Sequence, residues 1–214
     1  MNQSSAAPES SRIFASPVGP LTLVARGGAL RAVLFPRDGG RPVAAAGPPS
    51  PRSDAASDPD EELLVEAARQ LAEHFDGDRR RFELPLALAG TPFQRRVWAE
   101  LRTIPYGETV SYGELARRIG APGEAREVGS AVGRTPTPIV VPCHRVIGAD
   151  GALVGYGGGL PRKRALLDLE LGVLPLGPVG NEGPWPPTET PTSTPSAATT
   201  PPRAPSRTPA GSRR

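Results

Sequence analysis

Beyond Gly172 the 214-residue chain is dominated by Pro, Ser, Thr, Gly and Ala with scattered arginines. Such a stretch has too little apolar surface to offset the entropy of ordering it, so residues 172–214 are expected to be a disordered tail. A second run of similar texture, residues 37–57, reads as a loop that need not be ordered. The core must therefore come from residues 12–36 and 58–171, enough for one sizeable core or two small ones. With 37% hydrophobic residues and no long apolar run, nothing reads as a membrane span.

Residues 12–36, RIFASPVGPLTLVARGGALRAVLFP, break short apolar stretches with SPVGP and RGG, the pattern of a β-meander and hence a small antiparallel sheet. Asp58, Pro59 and Glu61 then mark a helix start, with Leu64, Ala68, Leu71 and Phe75 on one face and Gly77 as the stop. His74, near the end of this acidic helix, is expected at the polar surface. Residues 79–90, RRRFELPLALAG, read as an extended connection, because helical periodicity lapses and Pro85 interrupts it. Thr91, Pro92 and Gln94 make a capping box ahead of Phe93, Val97 and Leu101. Ser111 and Glu114 repeat the device, Gly120 suits a left-handed stop, and Pro122 is expected at the first position of the next helix. Two short helices around a Gly/Pro turn make a helix-turn-helix candidate, although most such pairs are plain helical hairpins. TPIVVP (137–142) suits a buried segment, Asp150-Gly151 a tight reversal, and LVGYGGGLP (153–161) a glycine-rich loop. Pro161 opens a last helix that runs through Glu170 and ends at Gly172.

The net charge is +3 and the pI 9.6. Four tail arginines, Arg203, Arg207, Arg213 and Arg214, against Glu182 and Glu189 leave +2 of this in the tail, so the body is near neutral. Acidic residues crowd 54–78, whereas Arg117, Arg118, Arg126, Arg134, Arg145, Arg162, Lys163 and Arg164 suggest one basic face and an anionic polymer as partner. Ordinary solvated arginines are the plainer explanation. The first residues lack a basic start followed by an apolar stretch, and the single cysteine, Cys143, cannot form an internal disulfide. A reducing, intracellular compartment is therefore expected. One cysteine and two histidines fall short of a typical zinc ligand set, so no metal is expected.

Cys143 and His144 are adjacent in IVVPCHRVIG (139–148). An imidazole can draw the thiol proton and raise the thiolate fraction. Neighbours on a strand point to opposite faces, however, so contact requires a turn at Pro142-Cys143 or a bridging water. The carboxylates able to fix the imidazole tautomer lie at a distance, Asp150 and Glu170 among them. These residues alone leave open a buried structural cysteine beside an exposed histidine, or a cysteine hydrolase that uses His74.

The run VPCHRVIG, preceded by SYGELARRIGAPGEAREVGSAV and followed by GYGGGLPRKRALLDLE, resembles the O6-alkylguanine-DNA alkyltransferase family. The likeness covers roughly residues 12–171 and is strongest from 91 onward. It implies an α/β fold: a small ribonuclease H-like N-terminal domain with an antiparallel sheet (12–88, with the 37–57 loop) and a mostly helical C-terminal domain with a helix-turn-helix (89–171). It also implies DNA repair in which Cys143, with no cofactor, irreversibly accepts an alkyl group from O6-alkylguanine, and from O4-alkylthymine, and turns over once. His144 would work through a water and Glu170 would orient it. Arg126 would fill the space left by the flipped nucleotide, on a helix lying in the minor groove. Tyr112 would contact the flipped base and a phosphate, and Gly129 would permit close approach to DNA. The carbonyls of Cys143 and Val146 would accept the guanine amino group. The loop from Tyr156 to Gly159 would close the pocket, with the Gly157 amide toward O6. The implied partner is duplex DNA and no membrane, for a cytoplasmic monomer.

Some positions depart from the family pattern. Thr135 stands where an asparagine usually braces the hinge between recognition helix and active site, and threonine offers no amide fork. Glu127 follows the finger arginine where a small apolar residue is common. Gly157 replaces Ser or Ala, and Ala165 a frequent Trp, changes that loosen the loop. The competing readings are a damage-recognition protein of the alkyltransferase-like type, which carries another residue at the cysteine position, and a helix-turn-helix regulator.

Overall fold

Three strands, β1 (Ser10–Phe14), β2 (Leu21–Ala25) and β3 (Leu30–Leu34), pair antiparallel in the order β1-β2-β3, as the meander pattern predicts. The structure, a computed structural model, describes residues 9–36 and 58–173. The expected 37–57 loop, and all but the first two residues of the expected tail, lie outside them. Being central, β2 is buried along its whole length. The outer edge of β3 is not left open. Leu30 N–H donates to the Pro85 carbonyl at 2.8 Å, Ala87 N–H to Leu30 at 3.0 Å, and Val33 N–H to Pro136 at 2.9 Å. The 79–90 connection and the segment before the cysteine thus satisfy backbone groups that would otherwise template aggregation.

Helix α1 (Pro59–Phe75) starts where expected, with the Asp58 side chain accepting from Asp60 N–H. Asp60 in turn accepts from the Gly27 and Gly28 amides at 3.1 and 2.6 Å, which fastens the β2–β3 turn to the helix. Leu63, Leu64, Ala67, Leu71 and Phe75 enter the first core; the stripe centres on Ala67, while Ala68 is only half-buried. His74 is a correction: it is fully buried, not at the surface. Gly77 turns the chain in a left-handed conformation (φ 85), so the residues after it fold back over the last turn of α1. The His74 ring lies among Phe75, Phe82 and Tyr106, and Nδ1 is 3.0 Å from the Arg79 carbonyl.

Helix α2 (Pro92–Leu101) carries the reciprocal Thr91–Gln94 capping box. At α3 (Tyr112–Arg118) only half of the expected box forms. Ser111 accepts from Glu114 N–H, but the Glu114 carboxylate goes to Arg117 and Arg118. Helix α4 (Ala125–Gly133) begins later than Pro122, because Gly123 takes a left-handed φ of 92 that no helix continues through. Helices α2, α3 and α4 enclose a second core of Val97, Trp98, Leu101, Leu115, Val128, Val132, Val141 and Val146, with the Trp98 indole N–H donating to the Ala131 carbonyl at 2.9 Å.

The last helix, α5 (Leu160–Glu170), does not stay with that core. Its Ala165, Leu166 and Leu169 pack with Ile139 and Val140 into the first core, so the N-terminal sheet is closed by C-terminal residues. The result is a mixed α/β molecule with an antiparallel sheet and a helical part. No described helix is long and apolar enough to cross a membrane.

Candidate active site

The buried run 137–142 is not a strand. Ile139 takes a φ of 74, and Pro142 (ψ 60) leads into a 3₁₀ turn at Cys143–Arg145. The chain then forms β5 (Val146–Ile147), which pairs parallel with β4 (Val110–Ser111) at the start of α3. That pairing brings the cysteine turn against the N-terminus of α3. On a 3₁₀ turn consecutive side chains diverge by about 120°, so Cys143 and His144 do not face each other.

Cys143 is 4% exposed and His144 fully buried. His144 Nε2 lies 2.8 Å from Glu170 Oε1. A carboxylate only accepts, so Nε2 carries a proton; Nδ1 is buried without a hydrogen-bond partner among the described residues. Glu170 also accepts from Arg145 Nη2 at 2.8 Å, Arg145 Nε at 2.9 Å and the Gly107 amide at 3.0 Å. Arg145 Nη1 spends a further proton on the Ile104 carbonyl at 2.6 Å. Burial works to raise the Glu170 carboxyl, but the charge and hydrogen bonds of His144 and Arg145 outweigh it and hold it at about 2. Asp150, the other carboxylate in view, stays exposed and caps its own turn through Ala152 N–H.

Burial pushes the Cys143 thiol up to about 11, against the opposing pull of the Thr135 hydroxyl and the Lys163 charge. The thiol is therefore protonated at neutral pH and needs a base to react. Thr135 follows α4 and donates to the Val132 carbonyl at 2.8 Å, which ties the sulfur's surroundings to that helix. Lys163 escaped the sequence reading, which counted it as a surface base. It is fully buried, with Nζ donating to Val146 at 2.6 Å and Val154 at 2.7 Å, and burial lowers it to about 8. The only hint was its place one turn from the glycine loop.

The basic face shrinks accordingly. Arg145 and Lys163 are interior, Arg162 is bonded to carbonyls, and Arg164 pairs with Asp168; Arg117, Arg118, Arg126 and Arg134 are exposed. Charges counted along a chain carry no direction, and burial of the Arg145–Glu170 pair removes two of them from the surface.

Tyr112 opens α3. Its hydroxyl donates to Val154 at 3.1 Å, and its ring lies against Gly129 of α4, where an added Cβ would sit 3.6 Å away in ordinary contact. Tyr156 is half-buried, its hydroxyl has no hydrogen-bond partner among the described residues, and its ring meets Phe35 edge-on at 5.6 Å. Gly157 is exposed, and an added Cβ there would meet the Gly133 carbonyl at 3.8 Å as its nearest neighbour among the described residues, whereas one at Gly158 would lie 2.8 Å from Phe35 and 2.9 Å from Tyr156. The steric requirement falls on Gly158, which the sequence did not single out. The structure thus gathers Cys143, His144, Glu170, Thr135, Tyr112, Val146 and Tyr156 around one turn, with Arg126 exposed on the first turn of α4.

A buried thiol followed by an imidazole that is held by a carboxylate clamped by arginine is an arrangement able to make one sulfur a nucleophile on demand, the equipment of a cysteine-transfer class of protein. The chain belongs to the 6-O-methylguanine DNA methyltransferase family, whose ribonuclease-like domain matches residues 11–88 and whose DNA binding domain matches residues 92–172. It is 49% identical over 159 residues to the methylated-DNA–protein-cysteine methyltransferase of Mycobacterium bovis, spanning 74% of this chain and 90% of that one. The enzyme of the same name from Methanosarcina acetivorans is 46% identical over 158 residues, 74% of this chain and 96% of that one. Among solved structures, Mycobacterium tuberculosis OGT in complex with DNA superposes with a TM-score of 0.62 at 47% identity, covering 77% of this chain and 94% of that one.

Proposed function

We infer that this protein repairs DNA by moving a methyl or larger alkyl group irreversibly from O6-alkylguanine, and from O4-alkylthymine, in duplex DNA to Cys143. The observation that carries the reading is the buried thiol one residue from a buried imidazole whose Nε2 is fixed by Glu170, itself clamped by Arg145. The thiol proton passes through a bridging water to His144 Nδ1, and Glu170, kept ionised by Arg145, stabilises the imidazolium. Sγ then attacks the alkyl carbon, an S–C bond forms as the C–O6 bond breaks, and the bonding pair stays on the base. The imidazolium returns its proton to that base, which leaves as unmodified guanine. A thioether has no ready leaving path, so each molecule acts once and needs no cofactor.

DNA is the partner. Helices α3 and α4 act as the helix-turn-helix, entering the minor groove, where Arg126 occupies the gap left by the flipped nucleotide. Tyr112 and Gly129 line the approach of the backbone, the Cys143 and Val146 carbonyls take the guanine amino group, and Tyr156 and the Gly157 amide close over O6. Val146 retains a lone pair for this while bonded to Lys163. Thr135 serves as the hinge between α4 and the sulfur. The sheet and α1 are the ribonuclease H-like part, and residues 12–88 and 89–171 are the working division. The protein acts as a cytoplasmic monomer.

The test is to mix the protein with a duplex containing O6-methylguanine and weigh the peptide bearing Cys143. A gain of one methyl, saturating at one per protein and absent in Cys143→Ser, is expected. Tight binding without mass gain would leave only damage recognition, and repeated turnover would exclude the single-use mechanism.

A further inference from the structure

None of the residues assigned to the chemistry comes from the N-terminal sheet, yet that sheet grips one wall of the site. The grip runs through Arg162, in the first turn of α5. Its Nε donates to the Val18 carbonyl, in the β1–β2 turn, at 2.7 Å, and its Nη1 to the Gly158 carbonyl at 2.8 Å. Its guanidinium carbon also sits 5.5 Å from the ring centre of Phe35, the residue after β3. Phe35 meets Tyr156 edge-on at 5.6 Å and fills the space that a side chain at Gly158 would need. The start of the same loop is held from the other side, where Tyr112 and Lys163 donate to the Val154 carbonyl.

The loop from Val154 to Gly159 is therefore pinned at both ends, by the helical part at Val154 and by the sheet at Tyr156–Gly158. A rigid guanidinium suits this task because two of its donors bind two carbonyls 140 residues apart in the chain, at positions 18 and 158, while its flat face lies on an aromatic ring. We propose that the N-terminal sheet sets the width of the alkyl-binding wall, with Arg162 and Phe35 as positioning residues that determine how large an O6-alkyl group reaches Cys143. The proposal rests on the alkyl-transfer reading above. It gives the sheet a part in substrate selection.

Single-turnover rates for O6-methylguanine and O6-benzylguanine duplexes, measured on the full chain, test it. Arg162→Met keeps the side-chain stem and deletes both donated bonds. It is expected to raise the benzyl-to-methyl rate ratio by about tenfold, the scale of one or two released hydrogen bonds. Arg162→Lys, able to reach one carbonyl at a time, should fall between, and the amides of Gly157 and Gly158 should exchange faster with solvent in both variants. Phe35→Leu supplies an independent route should Arg162→Met fail to fold, with the ratio moving in the same direction. A ratio unchanged in folded Arg162→Met or Phe35→Leu, whatever happens to the melting temperature, would reduce the clamp to a domain staple and overturn the proposal. Failure of the wild-type protein to transfer either group would instead refute the alkyl-transfer reading.

Discussion

At the scale of single residues, the structure turns two expected surface groups into buried ones with opposite consequences. Burial lowers His74 from 6.5 to about 4, and the backbone hydrogen bond to Arg79 only partly opposes it. The unfolded chain binds this proton between those pH values and the folded one does not, so stability is complete above about 6.5 and drains away as pH falls toward 4. His74→Phe is expected to flatten that part of the stability profile, read as urea midpoints from pH 7 to pH 4; an unchanged slope would place the acid sensitivity elsewhere. Lys163 instead offsets the burial of Cys143. Lys163→Met should raise the thiol further and slow its alkylation by iodoacetamide at pH 8 by about tenfold, the effect of losing about 1.4 kcal/mol of charge interaction. Neither residue was legible in the sequence, because a lone His or Lys carries no mark of the segments that will cover it.

Elements were most legible where their signals are local. The Thr91–Gln94 box works across three residues, and it formed as read. The start of α4 was misplaced, because proline is equally at home in the turn that Gly123 enforces. In the glycine loop the composition identified the element without ranking its members. Gly158→Ala must push Phe35 and Tyr156 apart and is expected to cost about 1–3 kcal/mol in chemical unfolding, with a matching loss of transfer rate. Gly157→Ala, whose added carbon would make only an ordinary contact with the Gly133 carbonyl at 3.8 Å, should stay within about 0.5 kcal/mol of wild type in the same assay.

For the whole molecule, the decisive feature is α5, which belongs to the helical part by sequence and to the sheet by packing. Leu166 is completely buried in the first core, so Leu166→Ala should destabilise by about 2–5 kcal/mol. Circular dichroism and tryptophan fluorescence should then shift together in one transition, whereas separate transitions would mean that the two cores melt independently. The sequence by itself determined the meander, the helix stops, the adjacency of Cys143 and His144, and, through motif likeness, the family. Those features depend on neighbours a few residues apart or on strings of residue types. Only the tertiary structure decided that Arg145 and Lys163 point inward, that Glu170 is clamped by Arg145 as well as by His144, and that Arg162 binds the sheet to the loop. The free energy of burying a charge exists only once distant segments have excluded water around it, and it is that exclusion which selects each partner.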